Sequence, residues 1–227
     1  MTSYKISGVN SLIIHFGDTI NDETFKEVNS TYTFLKEEKL DGIIELVPSY
    51  TTLFIEFDIF KFSHEELFIK LKELLQNTQE NQENQNRRTI EIPVYYDIEV
   101  GFDLERVAKF NKLTISEVIT LHSQKLYTVY TIGFAPAFGY MGTADKKIAT
   151  PRLETPRKKI PKNSVALADN QSAIYPQQSP GGWNILGRTY LNMFDKSCEN
   201  FSYLKVGDRV QFKPITKEQF LENGGEI

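Results

Sequence analysis

The first 75 residues alternate between strand-like and helix-like hydrophobic patterns. Short apolar, β-rich runs predict strands at residues 4–9, 12–16, 42–47 and 51–57. Residues 21–38 carry apolar side chains at helical spacing, and a capping box formed by Ser63 and Glu66 opens a second helix, whose apolar face is Leu67, Leu71, Leu74 and Leu75. The order ββαββα predicts an α+β domain, an antiparallel sheet with two helices on one face in the ferredoxin-like manner.

Residues 76–86, QNTQENQENQN, contain no apolar side chain. Such a segment cannot bury enough surface to offset the entropy cost of ordering it, so the composition predicts a solvated linker. The alternative is the frayed end of a long helix. Either interpretation divides the chain into domains at residues 1–86 and 87–227.

The second part begins with an alternating strand at residues 89–95 and a short helix at residues 103–111. Thr114 and Glu117 form the capping box of another helix, which places His122 on its apolar face beside Val118. After His122, strands such as 126–132 and 164–168 alternate with loops rich in glycine and proline, and KVGDRVQF predicts a tight turn before a strand. Many short strands with such loops favour a closed β-barrel or a sandwich.

The composition excludes several classes of protein. Forty per cent of the residues are hydrophobic, 12% are aromatic and the formal charge is −4, which argues against disorder and against nucleic-acid binding. A single cysteine, Cys198, excludes an intramolecular disulfide framework and a cysteine zinc site, and three histidines argue against a multi-histidine metal site. Neither a membrane span nor a signal peptide is visible, so we expect a cytoplasmic protein without a metal.

Two loops combine unusual residues. GFAPAFGYMG, residues 133–142, holds three glycines, a proline and three aromatics, so it must be packed or must line a pocket. TPRLETPRKKIPK, residues 150–162, holds five basic residues against the single carboxylate of Glu154, and its prolines favour an extended path. Such a basic loop suits phosphate or an acidic partner, although it is equally typical of a solvated surface loop.

A third loop, YPQQSPGGWNILGRT, spans residues 175–189 and contains the only tryptophan, Trp183. Ser179, Gly181 and Gly182 could turn their backbone N–H groups toward one point, as in an anion-binding nest, or could form a barrel corner. No Walker loop, dinucleotide fingerprint or GxSxG elbow is present. Ser179 and His122 make a weak nucleophile–base pair because no third member is visible.

Together, GFAPAFGYMG, TPRLETPRKKIP, IYPQQSPGGWNILGRT and KVGDRVQF resemble the bacterial sporulation-kinase-inhibitor family. That family is also called allophanate hydrolase subunit 1, or the B-type component of the prokaryotic 5-oxoprolinase. The resemblance extends over nearly the whole chain and includes FGDTI, ELVPSYTTLFIEFD, EIPVYYD and SEVITLH. It implies a ferredoxin-like N-terminal domain followed by a mainly β, cyclophilin-like barrel.

The resemblance implies three roles, and a fold does not choose between them. The first is a subunit of an ATP-dependent 5-oxoprolinase that opens 5-oxo-L-proline to L-glutamate with A-type and C-type companion subunits. The second is the carboxyltransferase half of a urea carboxylase or allophanate hydrolase system. The third is an inhibitor that binds a sensor histidine kinase. We favour the first, with ATP bound at a site shared with the partners and with this chain inactive alone.

The three loops and the resemblance also indicate site residues. A stable lactam needs its oxygen activated, so the site needs positive charge, N–H donors and a group that titrates near neutral pH. His122 and Arg188 are the predicted catalytic residues, since His122 is the barrel histidine. The predicted substrate- or nucleotide-binding residues, expected around one concavity with His122 at its edge, are Phe134, Pro136, Tyr140, Arg152, Arg157, Ser179, Gly181, Gly182 and Trp183.

The sequence departs from the family pattern GFLPGFPYLG in its first loop, where Ala137 replaces a glycine and Gly139 a proline. Further departures lie at the usual glycine positions Ala166, Asp169 and Ala173, and Gln178 stands where an acid is frequent. A side chain in place of glycine removes easy access to positive φ and to close ligand approach.

Overall fold

The computed structural model describes residues 2–76, 87–197 and 201–227. The chain divides into two compact units, residues 1–86 and 87–227. The predicted linker at residues 76–86 lies outside the described residues apart from Gln76, and Cys198 lies outside them as well.

The first unit is an antiparallel sheet of four strands with two helices. Its elements are β1 Ser3–Gly8, β2 Ser11–His15, α1 Asp22–Glu38, β3 Ile43–Pro48, β4 Thr52–Phe57 and α2 His64–Gln76. The strand order in the sheet is β1-β2-β4-β3. The ββαββα sequence of elements is the predicted one, but the ferredoxin-like motif begins with a single strand before its first helix, so that name stays a prediction.

Strand alternation and helix capping explain this unit. Leu12 and Ile14 of β2 and Ile55 of β4 are buried against Leu35 of α1 and Leu71 of α2 in one apolar core. The predicted capping box is confirmed: Ser63 N donates to Glu66 Oε2 at 2.8 Å, and Glu66 N donates to Ser63 Oγ at 3.2 Å.

The second unit is a closed seven-stranded barrel, which decides between the two predicted β architectures. The barrel order is β10-β7-β6-β13-β5-β12-β9, and β8 and β11 form a separate two-stranded ribbon. The elements are β5 Thr89–Tyr95, α3 Leu104–Asn111, α4 Ile115–Ser123, β6 Leu126–Ile132, β7 Gly139–Gly142, a 3₁₀ turn Lys146–Ile148, β8 Arg157–Ile160, β9 Ser164–Ala168, β10 Gln171–Ile174, β11 Ser179–Gly181, β12 Asn184–Arg188, β13 Arg209–Ile215 and α5 Lys217–Glu222.

Strand β9 is buried on both faces. Along β9, Val165 and Leu167 join the main core together with Phe212. Ala166 and Ala168 alternate with them and join a second apolar cluster, which positions the candidate site.

The segment predicted as an extended basic loop contributes β8 to the ribbon, in which Ser179 pairs with Ile160 and Gly181 with Arg157.

Candidate functional site

Five aromatic rings pack together where residues 134–140 meet residues 175–183. Phe138 lies at the centre, with ring centroids 5.2 Å from Phe134, 4.8 Å from Tyr140, 5.2 Å from Tyr175 and 5.9 Å from Trp183. All four pairs have edge-to-face geometry, which is favourable for ring quadrupoles. We call these five residues the aromatic cluster. The first and third predicted loops therefore meet at one place.

Small side chains on the barrel make room for these rings. Ala166, Ala168 and Ala173 lie in the same buried cluster as Phe138 and Trp183. Larger residues at these strand positions would occupy the volume that the rings fill. Ala166 and Ala173, two of the positions at which the sequence departs from the family's glycines, thus lie in regular strands. Ala137 (φ 66°) and Asp169 (φ 51°), by contrast, adopt the left-handed conformation that glycine favours.

One side of the aromatic cluster is open to solvent. Phe134 is 66% exposed, and the exposed Arg152 holds its guanidinium carbon 5.6 Å from the centroid of the Trp183 ring. Burial raises the pKa of Tyr140, while the charge of Arg152 opposes that rise. This rim offers aromatic faces and a cation side by side, which suits a planar ligand that carries negative charge.

Close packing at the aromatic cluster requires a glycine next to Tyr175. A Cβ atom at Gly181 would lie 2.3 Å from the Tyr175 hydroxyl, so any side chain there must displace the ring. Burial raises the pKa of Tyr175 to about 12, and a hydrogen bond from the Trp183 backbone opposes the rise. The tyrosine is therefore a neutral structural contact at physiological pH.

The predicted anion-binding nest at Ser179–Gly182 is not formed. Ser179 and Gly181 belong to β11, and an extended strand points successive N–H groups in opposite directions. The carbonyl of Gly182 accepts a hydrogen bond from Leu153 N at 2.7 Å, which ties the basic loop to the ribbon. In this segment, Gly181 is required for close packing.

The prediction that His122 titrates near neutral pH at the edge of the site is wrong. His122 is fully buried in the barrel unit and stacks on Phe212 with ring centroids 4.5 Å apart. Burial lowers its pKa to about 3. The Ser172 hydroxyl donates to the Ala166 carbonyl, so it accepts a hydrogen bond from Nε2 of His122 at 2.9 Å, and Nδ1 accepts a hydrogen bond from the Tyr96 hydroxyl at 2.7 Å. The imidazole is neutral and cannot serve as a proton carrier.

Arg157 is not available as an anion contact either. Its Nη1 and Nη2 atoms donate to the two carboxylate oxygens of Asp103, each at 2.8 Å. The Asp103 side chain is only 4% exposed and also accepts from Ile185 N at 2.8 Å. This bidentate pair connects β8 to the start of α3 and is structural. No sequence pattern indicated it, because the partners lie 54 residues apart.

Arg188 lies apart from the aromatic cluster. It is buried, and it donates to the backbone carbonyls of Lys162 and Glu226. Phe134, Tyr140, Arg152 and Trp183 therefore lie close together, while His122 and Arg188 lie elsewhere in the barrel unit. Pro136 is exposed on the same loop as Phe134.

Two central residues of the aromatic cluster, Phe138 and Tyr175, were not predicted as site residues. Their only signal in the sequence was the aromatic content of the first and third loops. Among the described ranges, 2–76, 87–197 and 201–227, no group of three or more histidine, cysteine, aspartate or glutamate side chains could hold a metal ion. No helix within these ranges is long and apolar enough to cross a membrane.

Comparison with known proteins identifies the family of this chain. The family model of the carboxyltransferase domain, subdomain C and D, matches residues 2–204. The chain belongs to this family. Within it, the chain is 36% identical over 223 residues to the B-type component of 5-oxoprolinase from Bacillus subtilis (strain 168), covering 94% of this chain and 92% of that protein.

Solved structures show the same fold. The crystal structure of TTHA0988 superposes with a TM-score of 0.79 at 33% identity, covering 94% of this chain. This chain spans 40% of the length of TTHA0988. The urea carboxylase of Kluyveromyces lactis has a TM-score of 0.78 at 16% identity, covering 97% of this chain and 22% of that one. At that identity the likeness shows a common fold.

Proposed function

We propose that this chain is a non-autonomous subunit of an ATP-dependent 5-oxoprolinase, which opens the lactam of 5-oxo-L-proline to L-glutamate. The observation that carries the proposal is the 36% identity to the B-type component of the Bacillus subtilis 5-oxoprolinase over 92% of that protein. A match of this length aligns both units of the chain with one polypeptide of that enzyme, rather than with a single shared module.

The chemistry of lactam opening explains why the reaction needs several different functional groups. A five-membered lactam is a stable amide, and its carbonyl is a poor electrophile. ATP, when bound, supplies the phosphoryl group that turns the lactam oxygen into a leaving group. The protein must then hold negative charge, orient the lactam and manage a proton near neutral pH.

The open side of the aromatic cluster is our candidate for this chain's contact with ATP. Phe134 is 66% exposed and presents a face on which a base can stack, and Arg152 stands over the buried Trp183 indole, where phosphate charge can be met. Ser179–Gly182 provides no phosphate cradle, and the barrel histidine His122 is neutral and buried. Both facts support a site that is completed by A-type and C-type partners.

Reconstitution tests the proposal. Mixing this chain with the companion subunits should give ATP-dependent consumption of 5-oxo-L-proline, measured as glutamate and ADP formed in equal amounts. Mixtures that lack this chain should not consume 5-oxo-L-proline, and neither should this chain alone. Rapid lactam cleavage by the isolated chain would contradict the non-autonomous role. Inhibition of a sensor histidine kinase by the chain, without any restored cleavage, would favour the regulator instead.

The contact with ATP has its own prediction. In the reconstituted enzyme, Arg152→Ala should raise the KM for ATP by about tenfold, because one charge-assisted contact to phosphate contributes roughly 1.5–3 kcal/mol. Lys147→Ala is the matched control, since it removes another exposed cation, one that lies outside the aromatic cluster. Saturating companion subunits keep assembly from limiting the rate. An unchanged KM for ATP in Arg152→Ala would exclude this contact.

A further inference from the structure

Arg188 lies where two cavities of the barrel unit meet. The smaller cavity has a volume of about 170 Å³ and is mainly polar, with Asn163, Thr189 and Asn192 in its wall. The larger has a volume of about 680 Å³, within the range of small-molecule sites. Arg188, Lys162 and Glu226 line both cavities.

The positive charge of Arg188 is buried and incompletely satisfied. Only 6% of the residue is exposed. Its Nη1 atom donates to the Glu226 carbonyl at 2.5 Å and Nη2 to the Lys162 carbonyl at 3.2 Å, so both partners are neutral groups. Nε has no hydrogen-bond partner within the part of the chain that the structure describes. A guanidinium has five N–H donors, and a buried charge ordinarily has a partner of opposite sign.

The two glutamates that line the larger cavity, Glu99 and Glu226, do not hydrogen-bond to Arg188 through their carboxylates. Glu99 is engaged by Lys217 Nζ at 2.8 Å and by the Tyr95 hydroxyl at 2.6 Å. Glu226 attracts Arg188 electrostatically, but it accepts the hydrogen bond from Arg188 with its backbone carbonyl. Gln177 and Gln178, which also line the larger cavity, are neutral. The junction of the cavities therefore favours an added negative charge.

The surroundings of Arg188 indicate what kind of anion fits. Val100, Phe102, Pro161 and Pro176 give the larger cavity apolar walls, which suit an organic body. One buried guanidinium with a single further cation, Lys162, matches one carboxylate better than a polyphosphate. In the smaller cavity Asn163 Oδ1 is a buried acceptor without a partner among the described residues, so it can receive an N–H group.

We propose that the junction of the two cavities binds a small carboxylate that carries an N–H group next to its carboxylate-bearing carbon. Arg188 and Lys162 hold the carboxylate, and Asn163 Oδ1 accepts the N–H. 5-Oxo-L-proline has this arrangement in its lactam ring. The choice of that ligand rests on the proposed function, whereas the anion site rests on the geometry around Arg188.

Calorimetric titration of the full chain tests the site. 5-Oxo-L-proline should bind, and 2-pyrrolidinone, the same lactam without the carboxylate, should bind at least about tenfold more weakly because it cannot pair with the guanidinium. Inorganic phosphate should not compete. Absence of binding, equal affinity for 2-pyrrolidinone, or displacement by phosphate at equal concentration would each overturn the proposal.

Variants locate the binding. Lys162→Ala should weaken the affinity for 5-oxo-L-proline about three- to tenfold, because it removes a cation from the rim of both cavities. Lys146→Ala, which removes an exposed cation outside both cavities, should leave the affinity unchanged. Arg188→Lys should abolish binding, with thermal unfolding measured as the folding control. Equal affinities for Lys162→Ala and Lys146→Ala would overturn the site.

The two proposals can fail separately. If the reconstituted enzyme cleaves 5-oxo-L-proline while Lys162→Ala leaves the KM for that substrate unchanged, the carboxylate site is wrong and the subunit role stands. If the isolated chain binds 5-oxo-L-proline through Lys162 while reconstitution yields no cleavage, the site is supported and the enzymatic role is wrong.

Discussion

At the scale of single residues, burial decides what each ionisable group can do. His122, Arg157 and Arg188 are all polar groups in the barrel unit, yet each has a different environment. His122 is neutral inside the core, Arg157 is paired with a carboxylate, and Arg188 is a buried cation bonded to carbonyls. From their residue types alone, all three were predicted to contact the substrate or nucleotide or to take part in the reaction.

The buried imidazole makes stability depend on pH. The pKa of His122 falls from 6.5 to about 3 on folding, so the unfolded chain binds more protons below pH 6.5 and the free energy of unfolding decreases as the pH falls toward 3. This group adds a slope of up to about 1.4 kcal/mol per pH unit. His122→Gln, which does not titrate, should lose that part of the slope between pH 7 and pH 5 in urea unfolding. Equal slopes for the two proteins would show that the imidazole is not buried in its neutral form.

The Asp103–Arg157 pair gives a second prediction at this scale. Arg157→Gln should lower the free energy of unfolding by about 2–4 kcal/mol, because it leaves the buried Asp103 carboxylate without its charged partner. Lys158→Gln, at the neighbouring exposed position, should change it by less than about 0.5 kcal/mol. Equal stabilities of the two variants in denaturant titrations would argue against a structural pair.

At the scale of elements, the β8–β11 ribbon fixes the aromatic cluster in place. Gly181 of β11 lies directly over Tyr175, and Leu153 N bonds to the Gly182 carbonyl. The ribbon therefore sets the position of Trp183 relative to Phe138 and Tyr140. A change of ribbon geometry should move the open side of the cluster as a unit.

Adjacent glycines allow a matched test of the ribbon. Gly181→Ala should cost about 1–3 kcal/mol, because its Cβ would lie 2.3 Å from the Tyr175 hydroxyl and 2.8 Å from Ile160 Cδ1. Gly182→Ala should be tolerated within about 0.5 kcal/mol, since its Cβ meets nothing closer than 3.5 Å. Tryptophan fluorescence should report the movement of Trp183 in the first variant alone. A Gly182→Ala protein as unstable as Gly181→Ala would refute this account of the ribbon.

At the scale of the whole molecule, the exposed basic side chains of β8 are our candidate for contact with companion subunits. Lys158 and Lys159 are exposed, whereas Arg157 beside them is held by Asp103. The charge reversals Lys158→Glu and Lys159→Glu should weaken assembly with the companion subunits, while thermal unfolding of the isolated chain stays unchanged. A stable complex buries on the order of 1,600 Å², so size-exclusion chromatography at low and high salt can detect the difference. Complexes that form equally well with both reversals would exclude this surface.

Local patterns determined much of this protein. Local sequence patterns predicted β5, β6 and β9 at their observed bounds, and side-chain caps marked the starts of α2 and α4, because these signals depend on neighbours within a few residues. The glycine, proline and aromatic content of residues 133–142 and 175–183 indicated where the aromatic cluster would form. The family followed from four such motifs in order.

Only the tertiary structure decided which groups are paired, buried or open. The β8–β11 ribbon escaped prediction because Ser179, Pro180 and Gly181 have low strand propensity, and β11 forms through its pairing with distant residues. The bond between Arg157 and Asp103 and the neutral state of His122 also depend on contacts made by residues far apart in the chain. The sequence determined which side chains were present, whereas long-range packing determined their solvation, and hence their charge and their chemistry.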